Sequence, residues 1–514
     1  MSPPPSRRSP WIWLVGMLLA TWGFAPLVAL IIDVAVHGGV LSGSDGGAPS
    51  ADQFQYMAWI REAGMHGLIA NSFELTPTHA VFLQPMFLLS GIAWRLGLGI
   101  QLAYLVWKPV AMLALLFGFA RYASRAERGS ARVGVLLLAL FCLSPALPAL
   151  DWAGQLHGAT RFDWLLAVEE LSPVWQLWGY PSTAIAIGLM PLALLAAERA
   201  LTETGPARTR PLILATVAAA LVAWLHPWQG ATLALIWVGL FIWGRGAPAY
   251  RRLALPFAGT IAPLVYYEVL VHADSAWKLA QRQNVYPHLG GLALLAAIAP
   301  LALLAVPALL TPTRDLFERM TRLWVLLALV VYFATRTFPE HALQGLSLPL
   351  AVLAVAGWRR LAWGRGLAIA GIAAAIIPGA IWSGIYYRDS VRSHIAPYIL
   401  TAQEHAALSF LERARGPGGV FASEYLGMAV PAFTGRNSWR GHDVWTPAFA
   451  TRDLLANALL SGGMPAATAR ALVAHSGARY LLADCSQQLD LRPLLGAIVT
   501  AVHRFGCVTV YDVE

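Results

Sequence analysis

The first polar stretch of the chain carries two aspartates whose carboxylates could take a proton from a hydroxyl group. Asp45 stands in a Gly-rich turn, and Asp52 follows it. Ser50 and Gln53 have the spacing of a capping box, which predicts a helix that begins at Ser50 with Asp52 in its first turn and Tyr56 one turn further on. We take Asp52 as the candidate general base, Asp45 as its nearest competitor and Tyr56 as a substrate-binding candidate. The alternatives are that Asp52 only stabilises the helix dipole and that Asp45 only forms the turn.

A second acidic group lies in the middle of the chain. Glu169 and Glu170 are adjacent to each other just before Ser172-Pro173, and Asp163 precedes them. Glu170 is a further catalytic candidate, and Asp163 is a weaker one. The alternative is an ordinary solvated pair of loop carboxylates.

Basic and imidazole side chains at the ends of apolar runs could bind an anionic substrate group. Arg336 and His341 share one short loop, and His226 stands at a His-Pro turn. Lys278 and Arg282 lie in another polar segment. An arginine guanidinium can hold a phosphate through two parallel hydrogen bonds, so we expect Arg336 to bind phosphate. Lys278 and Arg282 are further phosphate candidates, and His226 and His341 are substrate-binding candidates. The alternatives are snorkelling to lipid headgroups for Arg336 and helix-end hydrogen bonding for His226.

Soluble-enzyme motifs are absent from the sequence. It contains no phosphate-binding GxxxxGK[ST], no HExxH, no paired CxxC and no GxSxG. No cluster of His, Asp and Glu has metal-ligand spacing. We therefore predict no cofactor and no required metal, with the acidic pair Asp45 and Asp52 as the one place where a divalent ion remains an alternative.

The composition identifies the environment in which these groups must work. Hydrophobic residues make up 58% of the 514 positions and charged residues 12%, whereas soluble domains carry about 25% charged residues. The net charge of +9 comes from short basic clusters between apolar runs, which is typical of the positive-inside bias and argues against nucleic acid as a partner. The sequence therefore predicts an α-helical multi-pass membrane protein.

Apolar runs of membrane-spanning character recur along most of the chain. The first also targets the protein to the plasma membrane, with the N-terminus on the cytoplasmic side. The runs are 11–32, 80–97, 101–120, 133–150, 180–198, 211–225, 228–244, 253–271, 289–310, 323–335, 343–357 and 366–387.

The basic clusters test how many of these twelve runs cross. If 80–97 crosses, every later cluster lies outside; if it does not, every cluster lies inside. Gln84 and Pro85 interrupt that run. We predict eleven crossings, with 80–97 re-entrant or packed against the outer face, and with short spans around a polar cavity. The outer segments are then 37–79, 151–179, 272–288, 336–342 and the chain after 388.

Two of these outer segments have predicted secondary structure. In the first, Phe54, Met57 and Ile60 form an apolar helical face typical of a helix that lies on a membrane. In the tail, helical patterns at 396–415, 446–476 and 491–504 alternate with strand candidates at Val420–Ser423, Arg479–Ala483 and Val508–Tyr511. We therefore expect a membrane domain over 1–387 and a small extracytoplasmic α/β domain over 388–514.

The tail also contains two cysteines beside strand candidates. Cys485 and Cys507 could form an extracytoplasmic disulfide, and the alternative is two unpaired thiols in a small core.

Four stretches together resemble the bacterial GT-C membrane glycosyltransferases. The first is an acidic outer loop with the pattern D-x-x-x-Y, from Asp52 to Tyr56, that leads into the helix Ile60–Gly64. The others are short and spread over most of the chain: Trp224-Leu225-His226-Pro227, the run Gln344–Leu350, and Thr434-Gly435-Arg436 followed by Gly441-His442 and Thr446-Pro447.

This resemblance implies a function. GT-C enzymes of this kind transfer a sugar from a polyprenyl-phosphate carrier to an acceptor on the extracytoplasmic side, generally with inversion. The resemblance gives Asp52 the role of base and lets an acidic residue such as Glu170 orient the acceptor or assist the base. The acceptor could be a glycan, a lipid or a protein hydroxyl, and some relatives with paired acidic residues use a metal.

Two other classes of function remain as alternatives. One is a transporter or flippase for a lipid-linked glycan; the sequence shows neither an internal repeat nor spans rich in charge, which transporters commonly have. The other is a non-catalytic partner in a cell-envelope complex.

Overall fold

The computed structural model describes residues 10–45, 50–158, 160–161, 164, 171–245, 247–361, 364–393, 396–487 and 489–514. Each of the twelve apolar runs of the sequence contains helix. The α-helices are α1 (Pro10–His37), α2 (Ser50–His66), α3 (Pro85–Arg95), α4 (Ile100–Leu105), α5 (Trp107–Ala126), α6 (Gly129–Phe141), α7 (Ala146–Trp152), α8 (Pro181–Thr202), α9 (Thr209–Leu225), α10 (Pro227–Trp243), α11 (Ala254–Ala273), α12 (Ser275–Gln283), α13 (Gly291–Ile298), α14 (Leu301–Leu309), α15 (Leu316–Ala334), α16 (Ser347–Arg360), α17 (Arg365–Arg392), α18 (Ala402–Arg413), α19 (Glu424–Thr434), α20 (Phe449–Leu460), α21 (Ala466–Ser476) and α22 (Arg492–Leu495).

Short 3₁₀ helices and six strands complete the secondary structure that is described. The 3₁₀ helices are Trp175–Trp178, Gly205–Arg208, Tyr250–Leu253, Pro339–Leu343 and Gly496–Ile498. The strands are β1 (Val40–Leu41), β2 (Ile399–Leu400), β3 (Gly419–Ala422), β4 (Ala478–Ala483), β5 (Val499–Phe505) and β6 (Val508–Val513).

Several helices are long and apolar enough to cross a membrane. Within the described residues there are six: Trp11–His37, Ile100–Ala126, Pro181–Thr202, Gly205–Leu225, Tyr250–Ala273 and Arg365–Arg392. The bent pairs α6 with α7 and α13 with α14 raise this number to eight if each pair is one span. The other crossings of the eleven that we predict would be α10, α15 and α16. Of these, α16 has 14 residues and a length of about 21 Å.

The run 80–97 does not form a helix of membrane length. Its helix α3 has 11 residues, about 16 Å, against a hydrocarbon thickness of about 30 Å. Gln84 begins the helix, because its side-chain oxygen accepts hydrogen bonds from the backbone N–H groups of Met86 and Phe87 at 2.6 and 3.1 Å. The short length agrees with the prediction that this run does not cross.

One of two compact units is drawn from residues 1–25, 108–268 and 285–386. Glycines let its helices approach closely: a side chain at Gly118 of α5 would overlap the carbonyl of Gly188 in α8. Lys108 is buried in the same helix, and its ammonium donates hydrogen bonds to the carbonyl oxygens of Gly23 and Leu177. This buried charge therefore links three segments of the unit.

The other unit is drawn from residues 26–107, 269–284 and 387–514. Its main sheet has the strand order β3-β4-β6-β5, with β3 parallel to β4 and the other pairs antiparallel. A second, two-stranded sheet pairs β1 with β2 in antiparallel fashion, Val40 opposite Leu400. The segment that follows α1 is thus hydrogen-bonded to the tail.

The tail has the predicted α/β character, with one correction. The three strand candidates correspond to β3, β4 and β6, and Cys485 and Cys507 form a disulfide. The prediction of a helix over 491–504 was wrong, because the chain forms only the short helix α22 and the 3₁₀ helix Gly496–Ile498 before it enters β5. Gly506, with a φ of 62°, closes a β5–β6 hairpin, and pairing with β6 therefore decides the conformation.

The helix α2 begins at Ser50 as predicted, but its apolar face does not meet lipid. Phe54, Met57 and Ile60 are fully buried, and α2 packs against α3 and α19. Arg61 adds a polar link to α19, since its guanidinium donates hydrogen bonds to two backbone carbonyl oxygens, each at 2.9 Å. Other parts of the protein therefore cover the face that we had assigned to the membrane.

Candidate active site

Asp52 lies in the first turn of α2 and is hydrogen-bonded to a histidine of the tail. Its Oδ1 is 2.7 Å from Nε2 of His442. The His442 side chain is 4% exposed, whereas that of Asp52 is 25% exposed. The predicted base is therefore held by a buried imidazole and is still accessible to a substrate.

His442 lies between two carboxylates. Its Nδ1 is 3.1 Å from Asp443 Oδ1 and 3.1 Å from the backbone N of Val444. The Val444 N–H is satisfied by a neutral ring whose Nδ1 keeps its lone pair and whose Nε2 carries the proton. The Asp443 carboxylate is satisfied by an imidazolium, which is protonated on both nitrogens. In both of these forms Nε2 donates to Asp52.

The charge of His442 is set by burial and by these neighbours. Burial alone lowers the pKa of His442, but the carboxylates of Asp443 and Asp52 together raise it to about 9. Against the effect of burial, the hydrogen bond from His442 lowers the pKa of Asp443. We therefore assign an imidazolium at neutral pH, whose positive charge faces the Asp52 carboxylate.

Two side-chain amides hold the loop that carries His442. Asn71 donates a hydrogen bond to the carbonyl of Trp445 at 2.9 Å. Gln283, the last residue of α12, places its amide nitrogen 2.7–3.1 Å from three carbonyl oxygens, those of Asp443, Val444 and Thr446. Four successive carbonyls are thus bound by side chains from outside the loop, and this fixes the position of the imidazole relative to α2.

Asp45 belongs to the same unit but is more enclosed than Asp52. It is 1% exposed, and its backbone N–H donates to Oε1 of Gln53 at 3.0 Å. Ser44 Oγ donates to the same oxygen at 3.0 Å. Gln53 therefore connects the turn to α2. Between the two aspartates, accessibility favours Asp52.

Tyr56 packs into an aromatic group one turn beyond Asp52. Its ring centroid is 5.3 Å from that of Phe87, 5.9 Å from that of Trp59 and 6.3 Å from that of Tyr104. A small cavity opens further along the same unit. Its walls include four aromatic rings and three polar side chains, namely Trp59, Phe82, Trp277, Trp445, Asn71, His79 and Asp274.

The predicted cations of the segment 272–288 share one helix face. Lys278 and Arg282 are four residues apart on α12, and both are exposed. Ala276 and Ala280 occupy the buried face of the helix. Because Gln283 of the same helix holds the loop of His442, α12 connects a cationic surface to the Asp52–His442 pair within one unit.

The remaining predicted binding residues belong to the other unit. His226 separates α9 from α10 in an extended conformation, and its Nδ1 accepts the backbone N–H of Gln229 at 3.4 Å. Its ring centroid is 5.4 Å from that of His341 and 5.4 Å from that of Trp228. Arg336, between α15 and the 3₁₀ helix Pro339–Leu343, is exposed.

The middle acidic group is only partly described. Glu170, Glu169 and Asp163 lie outside the described residues. Asp151, in α7 before them, accepts hydrogen bonds from Arg161 at 2.7 Å and from the Trp382 indole at 2.8 Å. Across the described ranges no three His, Cys, Asp or Glu side chains are grouped so that they could hold a metal ion.

Sequence reasoning overlooked the residues that orient the candidate base. Gly441-His442 carried the family resemblance, yet nothing in its spacing paired His442 with Asp52, 390 positions away. Gln283 and Asn71 gave no signal, because a lone amide in a loop has no distinctive pattern.

No protein-family model and no curated protein sequence matches the chain. Among solved structures, apo ArnT from Cupriavidus metallidurans is similar with a TM-score of 0.54 at 14% identity, over 98% of this chain and 97% of that one. ArnT from the same organism bound to undecaprenyl phosphate gives a TM-score of 0.52 at 14% identity, over 98% of both chains. The apo oligosaccharyltransferase from Archaeoglobus fulgidus gives 0.46 at 12% identity, over 98% of this chain and 74% of that one. Since the similarity to ArnT extends over both chains, we conclude that this chain shares the fold of ArnT, the GT-C fold.

Proposed function

We propose that this protein transfers a sugar from a polyprenyl-phosphate carrier to an acceptor hydroxyl on the extracytoplasmic side of the plasma membrane. The observation that carries the proposal is the Asp52–His442 pair, at 2.7 Å, at the start of the first helix after α1 in a chain of GT-C fold. ArnT of that fold has been crystallised with undecaprenyl phosphate, which supports the choice of a polyprenyl phosphate as carrier.

Asp52 supplies the base in this proposal. The acceptor oxygen attacks the anomeric carbon of the sugar, and its proton passes to the Asp52 carboxylate. The bond from that carbon to the phosphate oxygen breaks, and polyprenyl phosphate leaves with the bonding electrons. A single displacement of this kind inverts the anomeric centre. His442 donates a hydrogen bond to the carboxylate and orients it, and a base so placed contributes roughly 10²–10⁴-fold to the rate.

The departing phosphate needs positive charge near it. Arg336 is exposed and can hold two phosphate oxygens at once. Lys278 and Arg282 present two further exposed cations on one face of α12. We propose that Lys278 and Arg282, which belong to the same unit as Asp52, bind the phosphate. Arg336 is a separate phosphate-binding proposal that rests on its own chemistry.

The tail is assigned to the extracytoplasmic side, with the N-terminus in the cytoplasm. The Cys485–Cys507 disulfide supports this orientation, because disulfides persist in oxidising compartments and are rare in the cytosol. The acceptor is then a glycan, lipid or protein hydroxyl of the cell envelope.

The test is sugar transfer by the full-length protein in envelope membranes supplied with a panel of synthetic polyprenyl-phosphate sugars. Asp52→Asn should lower the release of polyprenyl phosphate and the formation of glycosylated product by about 10²–10⁴-fold. The matched control is Asp389→Asn, since the Asp389 side chain is 58% exposed on α17. Activity that survives Asp52→Asn and is lost in Asp45→Asn would make Asp45 the base. Absence of transfer from every donor would refute the proposed activity.

A further inference from the structure

A second set of polar groups lies buried around His226 and is not used by the chemistry above. His226 is 3% exposed and Gln229 is 0% exposed. In the described part of the chain, Nε2 of His226 and Oε1 of Gln229 have no hydrogen-bond partner. Leaving a buried polar atom unpaired is unfavourable, so these two atoms, one at the N-cap and one in the first turn of α10, call for a ligand or a bound water.

The hydrogen bonds that these two side chains already make determine which donor and which acceptor remain for a ligand. Nδ1 of His226 accepts the N–H of Gln229 at 3.4 Å, so the proton of a neutral ring is on Nε2, which is a donor. The side chain of Gln344 interacts electrostatically with His226, but it does not meet the geometry of a hydrogen bond to Nε2. Nε2 of Gln229 donates to the carbonyls of His341 and Gln344 at 3.1 and 2.7 Å. The oxygen of that amide is therefore a fixed acceptor.

Aromatic rings pack beside the imidazole of His226, whose ring centroid is 5.4 Å from those of Trp228 and His341. The ring of His341 is 4.6 Å from that of Trp228 at nearly a right angle, and it stacks on Phe338 at 4.8 Å. Phe338 in turn stacks on Tyr286 at 4.3 Å. All of these residues belong to one compact unit.

The donor of His226 and the acceptor of Gln229 together favour a ligand that can both accept and donate hydrogen bonds. A phosphate oxygen only accepts hydrogen bonds, so it satisfies the Nε2–H of His226 and opposes the carbonyl oxygen of Gln229. A sugar hydroxyl both donates and accepts, and the C–H face of a sugar ring packs against aromatic rings. We propose that His226 and Gln229 bind hydroxyl groups of the sugar on the polyprenyl-phosphate donor, which rests on the function proposed above.

The test measures binding and needs no turnover. The full-length protein in nanodiscs is titrated with synthetic polyprenyl phosphate, bare or carrying one of a panel of hexoses. The natural protein should bind at least one sugar-bearing lipid more tightly than the bare lipid. His226→Asn should reduce that advantage by about tenfold, the equivalent of one hydrogen bond of 1.4 kcal/mol, and should leave the affinity for the bare lipid unchanged.

His226→Asn preserves the fold by design, because asparagine is a good N-cap and replaces the acceptor for the Gln229 N–H. Gln229→Leu is the second variant, and it should remove the same advantage. His475→Asn, at an exposed position of α21, is the matched control. A donor sugar that lacks the bound hydroxyl should bind equally well to the natural protein and to His226→Asn.

Three outcomes overturn the inference. Equal loss of affinity for bare and sugar-bearing lipid would make this a phosphate site. If neither His226→Asn nor Gln229→Leu changes the affinity for any of the lipids, the two atoms bind a buried water only. A natural protein that does not distinguish any sugar-bearing lipid from the bare one has no such site. If sugar discrimination is present but the membranes show no transfer, the site stands and the proposed activity fails.

Discussion

Replacing His442 by glutamine should change how the stability of the protein depends on pH. The imidazole is buried between Asp52 and Asp443 at 2.7 and 3.1 Å. These two carboxylates are the charged groups that act on it, one from α2 and one from its own loop, and they raise its pKa to about 9. Glutamine can still donate a hydrogen bond to Asp52, but it has no charge to lose.

The sign and size of the effect follow from proton linkage. Because the pKa of His442 in the folded protein is above its ordinary value of 6.5, protonation stabilises the fold. That stabilisation is fully present below pH 6.5 and is lost as the pH rises through 9. With 1.36 kcal/mol for each pH unit between the two values, it amounts to roughly 3 kcal/mol.

The assay is denaturant unfolding of the purified protein in mild detergent at pH 6 and pH 9.5. Between these two pH values the natural chain should lose roughly 3 kcal/mol more free energy of unfolding than His442→Gln. His475→Gln, at an exposed histidine of the same tail, should behave like the natural chain. If the natural protein and His442→Gln show parallel pH dependence, His442 is not the charged partner of Asp52 and our assignment of its imidazolium is refuted.

Three further predictions concern the stability of the compact unit that contains the tail and α2. Replacing Cys485 and Cys507 by serine should lower the free energy of unfolding by about 3 kcal/mol, because the disulfide closes a loop of 22 residues; reducing agent should have no effect on that variant. Gly427→Ala should destabilise the fold by about 1–3 kcal/mol, since the new methyl group would overlap a backbone carbonyl. The control Gly384→Ala, in open space on α17, should lose no stability in the same thermal unfolding experiment. Arg61→Gln should lower the midpoint of thermal unfolding and increase protease cleavage after α2, because two buried carbonyls lose a charged donor. If the variant is as resistant to protease as the natural protein, α2 is held by apolar contacts alone.

Apolar periodicity along the chain is sufficient to predict most of the helices. Each predicted run contains helix, and His226-Pro227 breaks a helical pair as expected, because proline cannot continue the preceding helix. The strands β3, β4 and β6 were also predictable, since they are short and rich in β-branched and aromatic residues. The two predictions that failed did so because local sequence pattern was overridden by tertiary contacts. A face of α2 that would suit lipid is buried against other helices, and the segment 491–504 was assigned to helix although its end pairs with β6. Both outcomes depend on contacts between distant segments, which local pattern does not contain.

For the site, the sequence determined which residue types were available and roughly where they stood. It placed Asp52 in the first turn of a helix, and it found His226 at a helix break. Only the tertiary structure decided which partners these groups have: a histidine 390 positions away binds Asp52, and the carbonyls bound by Gln229 come from a turn more than a hundred positions later. The physical reason is that helix and strand formation depend on neighbours in the chain, whereas the orientation and charge of a catalytic group depend on neighbours in space.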